Sequence, residues 1–372
     1  MLLKGAQVFY NDKLELMDIE VSGDSITRLG ANLEGDGEDF SGCLILPGLV
    51  DIHTHGCKGF DFCTATDAEI DEMCRFYADH GVTSVAATGM TLGDDTLTEI
   101  FTRVGNKAAK GTAGAHILGI NMEGPYLSEE KKGAHDPKFI AFPDPAQLRH
   151  LNAASGGRIL MVDLSPTAKG AMEFIRELRD EVVLSLAHTP ADYDTAMAAI
   201  EAGAGNVTHL FNAMMPFAHR APGLIGAAFD SDITAELICD GIHIHPAVIR
   251  TAFKVLGDRA VLISDSMSAA GMPDGSYLLG GLTVTVENRK AFLEDGTIAG
   301  STITVYEGMC NAVKFGVPLE LAIHAATAAP AKAVRRENCV GRIEQGRRAD
   351  LLILDKTTLA IRRVLVGGKL HG

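Results

Sequence analysis

Two histidines separated by one residue, with an aspartate just before them, are the first residues of this sequence that could do chemistry. Asp51, His53 and His55 follow an apolar run. Because side chains alternate along a strand, all three would project to one side. Two imidazoles in this arrangement could share a metal ion. A second pair with the same spacing, His243 and His245, shows that the spacing alone does not identify a metal site.

Other metal-binding residue types follow four later apolar runs, namely Glu123, His188, His209 and Asp265. An isolated histidine or carboxylate at such a position is more often a loop or helix-capping residue, so the prediction depends on the whole set. If the runs are parallel strands of one barrel, their carboxyl ends converge on one face. Nitrogen and oxygen ligands favour zinc or ferrous iron over calcium or magnesium.

Other catalytic classes lack their motifs in this sequence. There is no Gly-x-Ser-x-Gly elbow for a serine nucleophile, and no GxGxxG or Walker pattern for a nucleotide. The chemistry that remains is attack of metal-activated water on an electrophilic carbon, with a carboxylate to carry protons.

The segments that must position these residues predict an α/β fold, a (β/α)8 TIM-type barrel with a small β-sandwich domain formed by both chain ends. Apolar strand-like runs alternate with helical patterns, which is typical of a parallel sheet. The eight runs are 44–52, 82–88, 116–122, 159–164, 182–187, 205–210, 234–239 and 261–264. One intervening helix has clear limits, a capping box at Thr66 and Glu69 and a terminating glycine at Gly81.

The two chain ends instead show short runs of alternating apolar and polar residues, which indicate β structure. We therefore predict a small β domain from 1–47 and 335–372 and a barrel over 48–334. Within the barrel, 272–297 is predicted to be a β-hairpin insertion that covers part of the site.

Composition and charge exclude several classes of protein. The chain has 372 residues, 47% of them hydrophobic and 22% charged, which is typical of globular proteins. A formal net charge of −15 disfavours nucleic acid as a partner. No apolar stretch approaches the roughly 20 residues of a membrane helix, and seven scattered cysteines without a CxxC pair fit reduced thiols. The expectation is a cytoplasmic protein that binds neither membrane nor nucleic acid.

The order and context of the candidate residues resemble the amidohydrolase superfamily and, within it, the N-acetylglucosamine-6-phosphate deacetylases, over nearly the whole chain. The segments that carry the resemblance are LPGLVDIHTHG at 46–56, NMEGPY at 121–126, KGAH at 132–135, AHT at 187–189, THLFNAM at 208–214, DGIH at 240–243 and SD at 264–265. The first His-x-His pair is common to much of the superfamily, whereas the later segments, above all the one around Glu123, are specific to these deacetylases.

The resemblance implies metal-dependent hydrolysis of an N-acetyl group, with acetate and glucosamine 6-phosphate as products. It implies Glu123, His188 and His209 as ligands of the main catalytic metal. It also implies Asp265 as the acid/base and His135 as the group that polarises the acetyl carbonyl.

Members of the family differ at the first His-x-His pair, and some that have lost both histidines work with one metal ion. This chain keeps His53 and His55, so the expected cofactor is one or two divalent ions, zinc or iron. With two ions, Asp265 would also ligate the second, and Glu123 would lie between them.

A chain of this negative charge needs a local cationic pocket to accept a phosphorylated sugar, and the resemblance assigns that role to Arg220 and His243. The full set of implied substrate contacts is Ala134, Asn212, Ala213, Arg220, Asp240, Gly241, Ile242, His243, Ile298, Ala299 and Gly300. A homodimer is expected, in which Arg220 serves its own or a neighbouring subunit's site.

Two alternatives follow from the same residues. The first is deacetylation of a related sugar, such as N-acetylgalactosamine 6-phosphate, because a hydroxyl's orientation is read by few contacts. The second is a non-catalytic barrel that serves as a scaffold, which would be expected to have lost metal ligands that this chain retains.

Overall fold

A computed structural model describes residues 1–371 of the chain, and its first strands belong to a sheet at the chain ends. These strands are β1 (Leu2–Tyr10), β2 (Lys13–Ser22), β3 (Ser25–Gly30), β4 (Glu38–Asp39) and β5 (Cys43–Pro47). After them the chain enters repeated βα units. Their elements are β6 (Leu49–Thr54), β7 (Gly56–Cys57), β8 (Phe60–Asp61), α1 (Asp67–Asp79), β9 (Val82–Gly89), α2 (Asp94–Lys110), β10 (His116–Glu123), α3 (Pro145–Ala154), β11 (Ile159–Leu164), α4 (Ala171–Leu178), β12 (Val183–Leu186), α5 (Tyr193–Ala202), β13 (Asn206–Val207), α6 (Gly223–Phe229), β14 (Thr234–Ile238), α7 (Pro246–Leu256) and β15 (Ala260–Ile263).

The remaining elements form a small sheet, three helices and the return to the first sheet. They are β16 (Gly275–Leu279), β17 (Leu282–Glu287), β18 (Lys290–Phe292), α8 (Val305–Lys314), α9 (Leu319–Ala326), α10 (Ala328–Ala333), β19 (Leu351–Asp355), β20 (Ile361–Val366) and β21 (Lys369–His371). Short 3₁₀ turns occur at Glu129–Lys131, Pro137–Phe139 and Gly257–Arg259. Within residues 1–371, none of the helices combines the length and the apolar character needed to cross a membrane.

The βα units form the predicted eight-stranded parallel barrel, in the order β6, β9, β10, β11, β12, β13, β14, β15. The first and last strands approach each other where the Asp265 amide donates to the His53 carbonyl (2.9 Å) and Thr54 pairs with Ser266. The fold class predicted from the sequence is thus confirmed. The capping box of α1 is also present, because the Thr66 amide donates to Glu69 (2.7 Å) and the Glu69 amide donates to Thr66 (3.4 Å).

The prediction for run 44–52 was wrong in one respect, because the run is two strands. Residues 43–47 form β5 in the sheet of the chain ends, and the barrel strand β6 begins at Leu49. Gly48 lies between them, and its amide donates to the Asp350 carbonyl (2.8 Å). A side chain at Gly48 would place its Cβ 2.1 Å from Thr83 Oγ1, so only glycine fits this crossing.

The sheet of the chain ends has the order β21, β20, β19, β5, β1, β2, β3, with β4 beside β1. It curls over its own apolar core, to which Leu3, Ile45 and Leu351 contribute. The Ile26 amide of β3 donates to the Arg347 carbonyl (2.8 Å) just before β19, so the curl brings the far edge back to the chain's last strands. Between β15 and α8 in the chain, the predicted hairpin at 272–297 is a three-stranded antiparallel sheet, β16 to β18.

Candidate active site

A cavity of about 300 Å³ opens at the carboxyl ends of the barrel strands. The predicted site residues that line it are His55, Glu123, Ala134, His135, His188, His209, Asn212, Ala213, His243, Asp265, Ile298 and Gly300. His53 has no solvent exposure and lies beneath the cavity floor. The barrel therefore brings residues from five strand ends to one centre.

The first candidate metal group consists of Glu123, His188 and His209. Glu123 Oε1 lies 3.0 Å from His188 Nε2 and 3.2 Å from His209 Nε2, and the two Nε2 atoms are 3.0 Å apart. His188 Nδ1 donates to the Lys131 carbonyl (2.8 Å), which leaves its Nε2 with a lone pair. The lone pairs of His188 Nε2 and Glu123 Oε1 therefore face each other and repel unless a cation lies between them. Their separation of 3.0 Å is close to the about 3.3 Å between two ligands of a tetrahedral zinc ion. The donor set fits a divalent metal.

The second candidate group consists of His53, His55 and Asp265, whose ligand atoms lie within 4.8 Å of one another. Asp265 Oδ1 is 3.3 Å from His55 Nε2 and 3.7 Å from His53 Nε2. His53 Nε2 is buried without a hydrogen-bond partner. Glu123 is adjacent to this group too, since its Oε2 is 3.3 Å from His55 Nε2. The Glu123 carboxylate therefore lies between the two groups.

Burial and charge shift the pKa values in this cluster. Burial lowers the pKa of His188 to about 4, which keeps its imidazole neutral. Burial also disfavours the charged form of His55, but the carboxylates of Asp265 and Glu123 outweigh it and raise its pKa to about 9. For Glu123, burial is outweighed by the surrounding histidines, which hold its pKa well below the usual range. The carboxylate is thus ionised and available to a metal.

Three residues of the cluster have left-handed backbone conformations, which are unusual for non-glycine residues. The φ angles are 43° at His188, 33° at His209 and 49° at Asp265. Each residue follows the end of its strand, where the chain turns sharply away from the barrel. Strained backbone of this kind is typical of functional sites, where the surrounding fold holds it in place.

His135 presents a hydrogen-bond donor to the cavity. The Thr91 amide donates to His135 Nδ1 (3.3 Å), so the neutral ring carries its proton on Nε2. This Nε2 is 3.5 Å from Glu123 Oε2, and the ring packs edge-on against His188 with centroids 4.7 Å apart. A donor beside the metal ligands is suited to polarise a carbonyl oxygen.

His243 is held by a neighbouring carboxylate at the cavity wall. Asp240 Oδ2 accepts from His243 Nδ1 (2.7 Å), and Asp240 Oδ1 accepts from the amides of Ile242 and His243 (both 2.8 Å). Asp240 itself therefore lies behind His243, outside the cavity lining. His245 has a different role, because its side chain accepts from the Ala247 amide and caps α7.

The remaining predicted contacts do not line this cavity: Gly241, Ile242, Ala299 and Arg220. Arg220 lies on an exposed turn closed by pairing of Ala218 with Ala221, in a separate surface depression. Phe217 is 54% exposed on the same turn. The structure thus places Arg220 outside the cavity that contains the candidate metal ligands.

Sequence reasoning missed two buried carboxylates below the candidate ligands, Asp163 and Glu236, and the role of a third, Asp51. Asp163 on β11 joins His53 and Glu123 in a third group whose ligand atoms lie within 4.8 Å. Glu236 on β14 lies 3.1 Å from His53 Nδ1. Asp51 was noted beside the histidines, but its role was not, and it accepts from Ser264 Oγ (2.5 Å). The available signal was an acidic residue inside an apolar run, whereas the sequence prediction used the residues that follow each run.

Comparison with known proteins identifies the family to which this chain belongs. Residues 44–371 match the amidohydrolase family. The N-acetylglucosamine-6-phosphate deacetylase of Vibrio furnissii is 35% identical over 329 residues, 88% of this chain and 82% of the relative. The N-acetylgalactosamine-6-phosphate deacetylase of Escherichia coli O157:H7 is 34% identical over 330 residues, 88% and 87% of the two chains.

The solved structures include a mutant N-acetyl-D-glucosamine-6-phosphate deacetylase from Mycobacterium smegmatis in complex with N-acetyl-D-glucosamine-6-phosphate. It superposes with a TM-score of 0.94 at 35% identity, over 100% of this chain and 98% of that one. The likeness therefore extends over both the barrel and the sheet of the chain ends.

Proposed function

The chain belongs to the amidohydrolase family, and we propose that it hydrolyses the N-acetyl group of N-acetyl-D-glucosamine 6-phosphate to D-glucosamine 6-phosphate and acetate, in amino-sugar catabolism or recycling. The observation that carries the proposal is the meeting of Glu123, His188, His209 and Asp265 in one cavity of a chain whose relatives act on such sugars.

The metal is assigned to residues of the chain as follows. Glu123, His188 and His209 hold the main ion, and His53, His55 and Asp265 form the site for a second. A bound zinc or ferrous ion would lower the pKa of a coordinated water and polarise the amide carbonyl.

Asp265 carries the proton in this mechanism. Burial opposes ionisation of Asp265, but His55 and His53 outweigh it and lower its pKa, so the group is a carboxylate at neutral pH. It accepts a proton from the water as the C–O bond forms, and it delivers that proton to the nitrogen as the C–N bond breaks. His135 donates from Nε2 to the carbonyl oxygen, where negative charge develops.

The phosphate is assigned to His243 and Arg220. His243 lines the cavity, and Asp240 supports its protonated form through the Nδ1 hydrogen bond. Arg220 lies outside the cavity of its own subunit on an exposed turn next to Phe217, so we assign it to the site of a second subunit in a homodimer. Ala134, Asn212, Ala213, Ile298 and Gly300 line the space for the sugar.

The identity of the metal and the cellular compartment complete the proposal. Nitrogen-rich ligands favour zinc or ferrous iron. Seven free cysteines fit the reducing conditions of the cytoplasm.

The alternative substrate is N-acetylgalactosamine 6-phosphate, because one relative at 34% identity acts on that sugar. A non-catalytic scaffold is disfavoured by the complete ligand set.

The test is acetate release by purified protein reconstituted with zinc or ferrous iron. Three substrates are compared: N-acetylglucosamine 6-phosphate, N-acetylgalactosamine 6-phosphate and unphosphorylated N-acetylglucosamine. We expect metal-dependent release, fastest from the first. Faster release from the galactosamine ester would favour the alternative, and equal rates with and without phosphate would remove the phosphate assignment. No release from any of them would refute the proposed function.

A further inference from the structure

The barrel interior beneath the cavity contains a carboxylate, Glu236, that the proposed mechanism does not use. It has no exposure to solvent. Its Oε2 lies 3.1 Å from His53 Nδ1 and 3.2 Å from the backbone nitrogen of His209, and its Oε1 accepts from Asn206 Nδ2 (2.8 Å). Each oxygen of this buried acid therefore faces at least one donor.

The contact with His53 determines which ring nitrogen can bind a metal. A carboxylate accepts hydrogen bonds, so in the neutral imidazole His53 Nδ1 carries the proton and Nε2 retains its lone pair. His53 Nε2 is buried, has no hydrogen-bond partner, and lies 3.7 Å from both Glu123 Oε1 and Asp265 Oδ1. The atom that Glu236 leaves free is thus the one that faces the ligand cluster.

The same oxygen also contacts the first candidate group, Glu123, His188 and His209, through the backbone of His209. His209 follows β13 with a left-handed φ of 33°, and its amide donates to Glu236 Oε2. Glu236 therefore holds the ring of a residue in the His53–His55–Asp265 group and the main chain of a residue in the Glu123–His188–His209 group. A single side chain on β14 aligns ligands from β6 and from the end of β13.

We propose that Glu236 is the positioning residue of the His-x-His metal site. It fixes the tautomer and the ring orientation of His53, and so sets the affinity for the second ion. This inference rests on the proposed metal-dependent function, but it concerns metal binding and can be tested without substrate. Loss of a hydrogen bond behind a metal-binding histidine lowers metal affinity about 10- to 100-fold.

The experiment measures zinc bound per chain and the dissociation constant of each ion, by chelator competition and elemental analysis. Glu236→Met keeps the volume and removes both acceptors. Glu236→Gln keeps one acceptor oxygen, so its NH2 group must face one of the two donors, either His53 Nδ1 or Asn206 Nδ2. His53→Asn removes a candidate ligand and shows the result expected when the second ion is lost. Asp18→Asn is the control, because Asp18 is a buried carboxylate of the other sheet, accepting from the amides of Gly5 and Leu33 (both 2.8 Å).

We expect two ions in the wild type and in Asp18→Asn, and one in His53→Asn. Glu236→Met should weaken the second ion by about 100-fold and Glu236→Gln by about tenfold, with the first ion bound in both. Folding is checked by circular dichroism, and Glu236→Gln decides the matter if Glu236→Met does not fold. Wild-type affinity for the second ion in the folded variant, or a wild type that binds one ion irrespective of His53, would overturn the inference.

The two proposals fail separately. A chain without deacetylase activity that still loses its second ion in Glu236→Met would refute the proposed function and leave the role of Glu236 intact. Deacetylase activity together with unchanged zinc binding in both Glu236 variants would refute the role of Glu236 and leave the proposed function intact.

Discussion

Replacing Asp265 by asparagine is the sharpest test of the proton route. The substitution keeps the size of the side chain and removes its ability to accept a proton at neutral pH. Two other carboxylates of the cluster cannot replace it, because Glu123 is surrounded by histidines and Asp163 is fully buried with Oδ1 accepting from Thr208 (2.9 Å). The loss should therefore equal the contribution of a general acid and base.

That contribution is about 10²- to 10⁴-fold in rate, or roughly 2.7 to 5.5 kcal/mol of transition-state free energy. We expect kcat to fall by this factor while KM stays close to the wild-type value, because the role proposed for Asp265 is toward the reacting water and the phosphate is assigned to other residues. The Glu123–His188–His209 group lacks Asp265, so the main ion should remain bound.

The assay is steady-state acetate release, with metal content measured on the same samples. Asp295→Asn is a matched control, because Asp295 is an exposed carboxylate near the cavity whose side chain accepts only from the Thr297 amide (2.9 Å). It should keep wild-type turnover. A kcat for Asp265→Asn within tenfold of wild type would refute the proton role. Loss of every bound ion would show that Asp265 is a ligand of the main metal.

Four further predictions follow from the contacts described above. Glu123→Gln should abolish binding of both ions in elemental analysis, because its carboxylate faces both groups; full occupancy would contradict this placement. Burial opposes protonation of His243, but Asp240 outweighs it and raises the pKa, so KM for the phosphorylated sugar should rise as pH increases through that raised value. If His243→Asn showed the same pH dependence of KM, His243 would not be the group whose protonation binds the phosphate. Arg220→Ala should raise KM with little change in kcat, and an unchanged KM would remove it from the phosphate site. Thr66→Ala should cost about 1 kcal/mol of stability in urea unfolding, and a smaller loss would show that the capping box contributes little.

The ligand cluster could be predicted because its members follow strand ends in a barrel. That architecture converts positions far apart in the sequence into neighbours, so Glu123 and His209 could be placed together without coordinates. The carboxylates below them could not. Asp163 and Glu236 lie inside apolar runs, and the sequence does not show which side chains of a fully buried strand point into the barrel.

Two other features could not be predicted from the local sequence pattern. The division of run 44–52 at Gly48 reflects contacts with Thr83 and Asp350, which lie outside the local pattern. The position of Arg220 on an exposed turn, away from the cavity, follows from the path of the loop after His209, which has no periodic pattern to indicate its course. Packing between distant segments sets the division at Gly48.

The crossing at Gly48 also has a consequence for the order in which the protein assembles. The strand β6, which carries His53 and leads into His55, continues from β5, and β5 is paired on one side with β1 and on the other with β19. The ribosome synthesises residues 351–355 only after the whole barrel, so until then β5 has an open edge and the Gly48 amide lacks its partner, the Asp350 carbonyl. We expect the His-x-His pair to be the last part of the centre to mature during biosynthesis, after translation has passed β19.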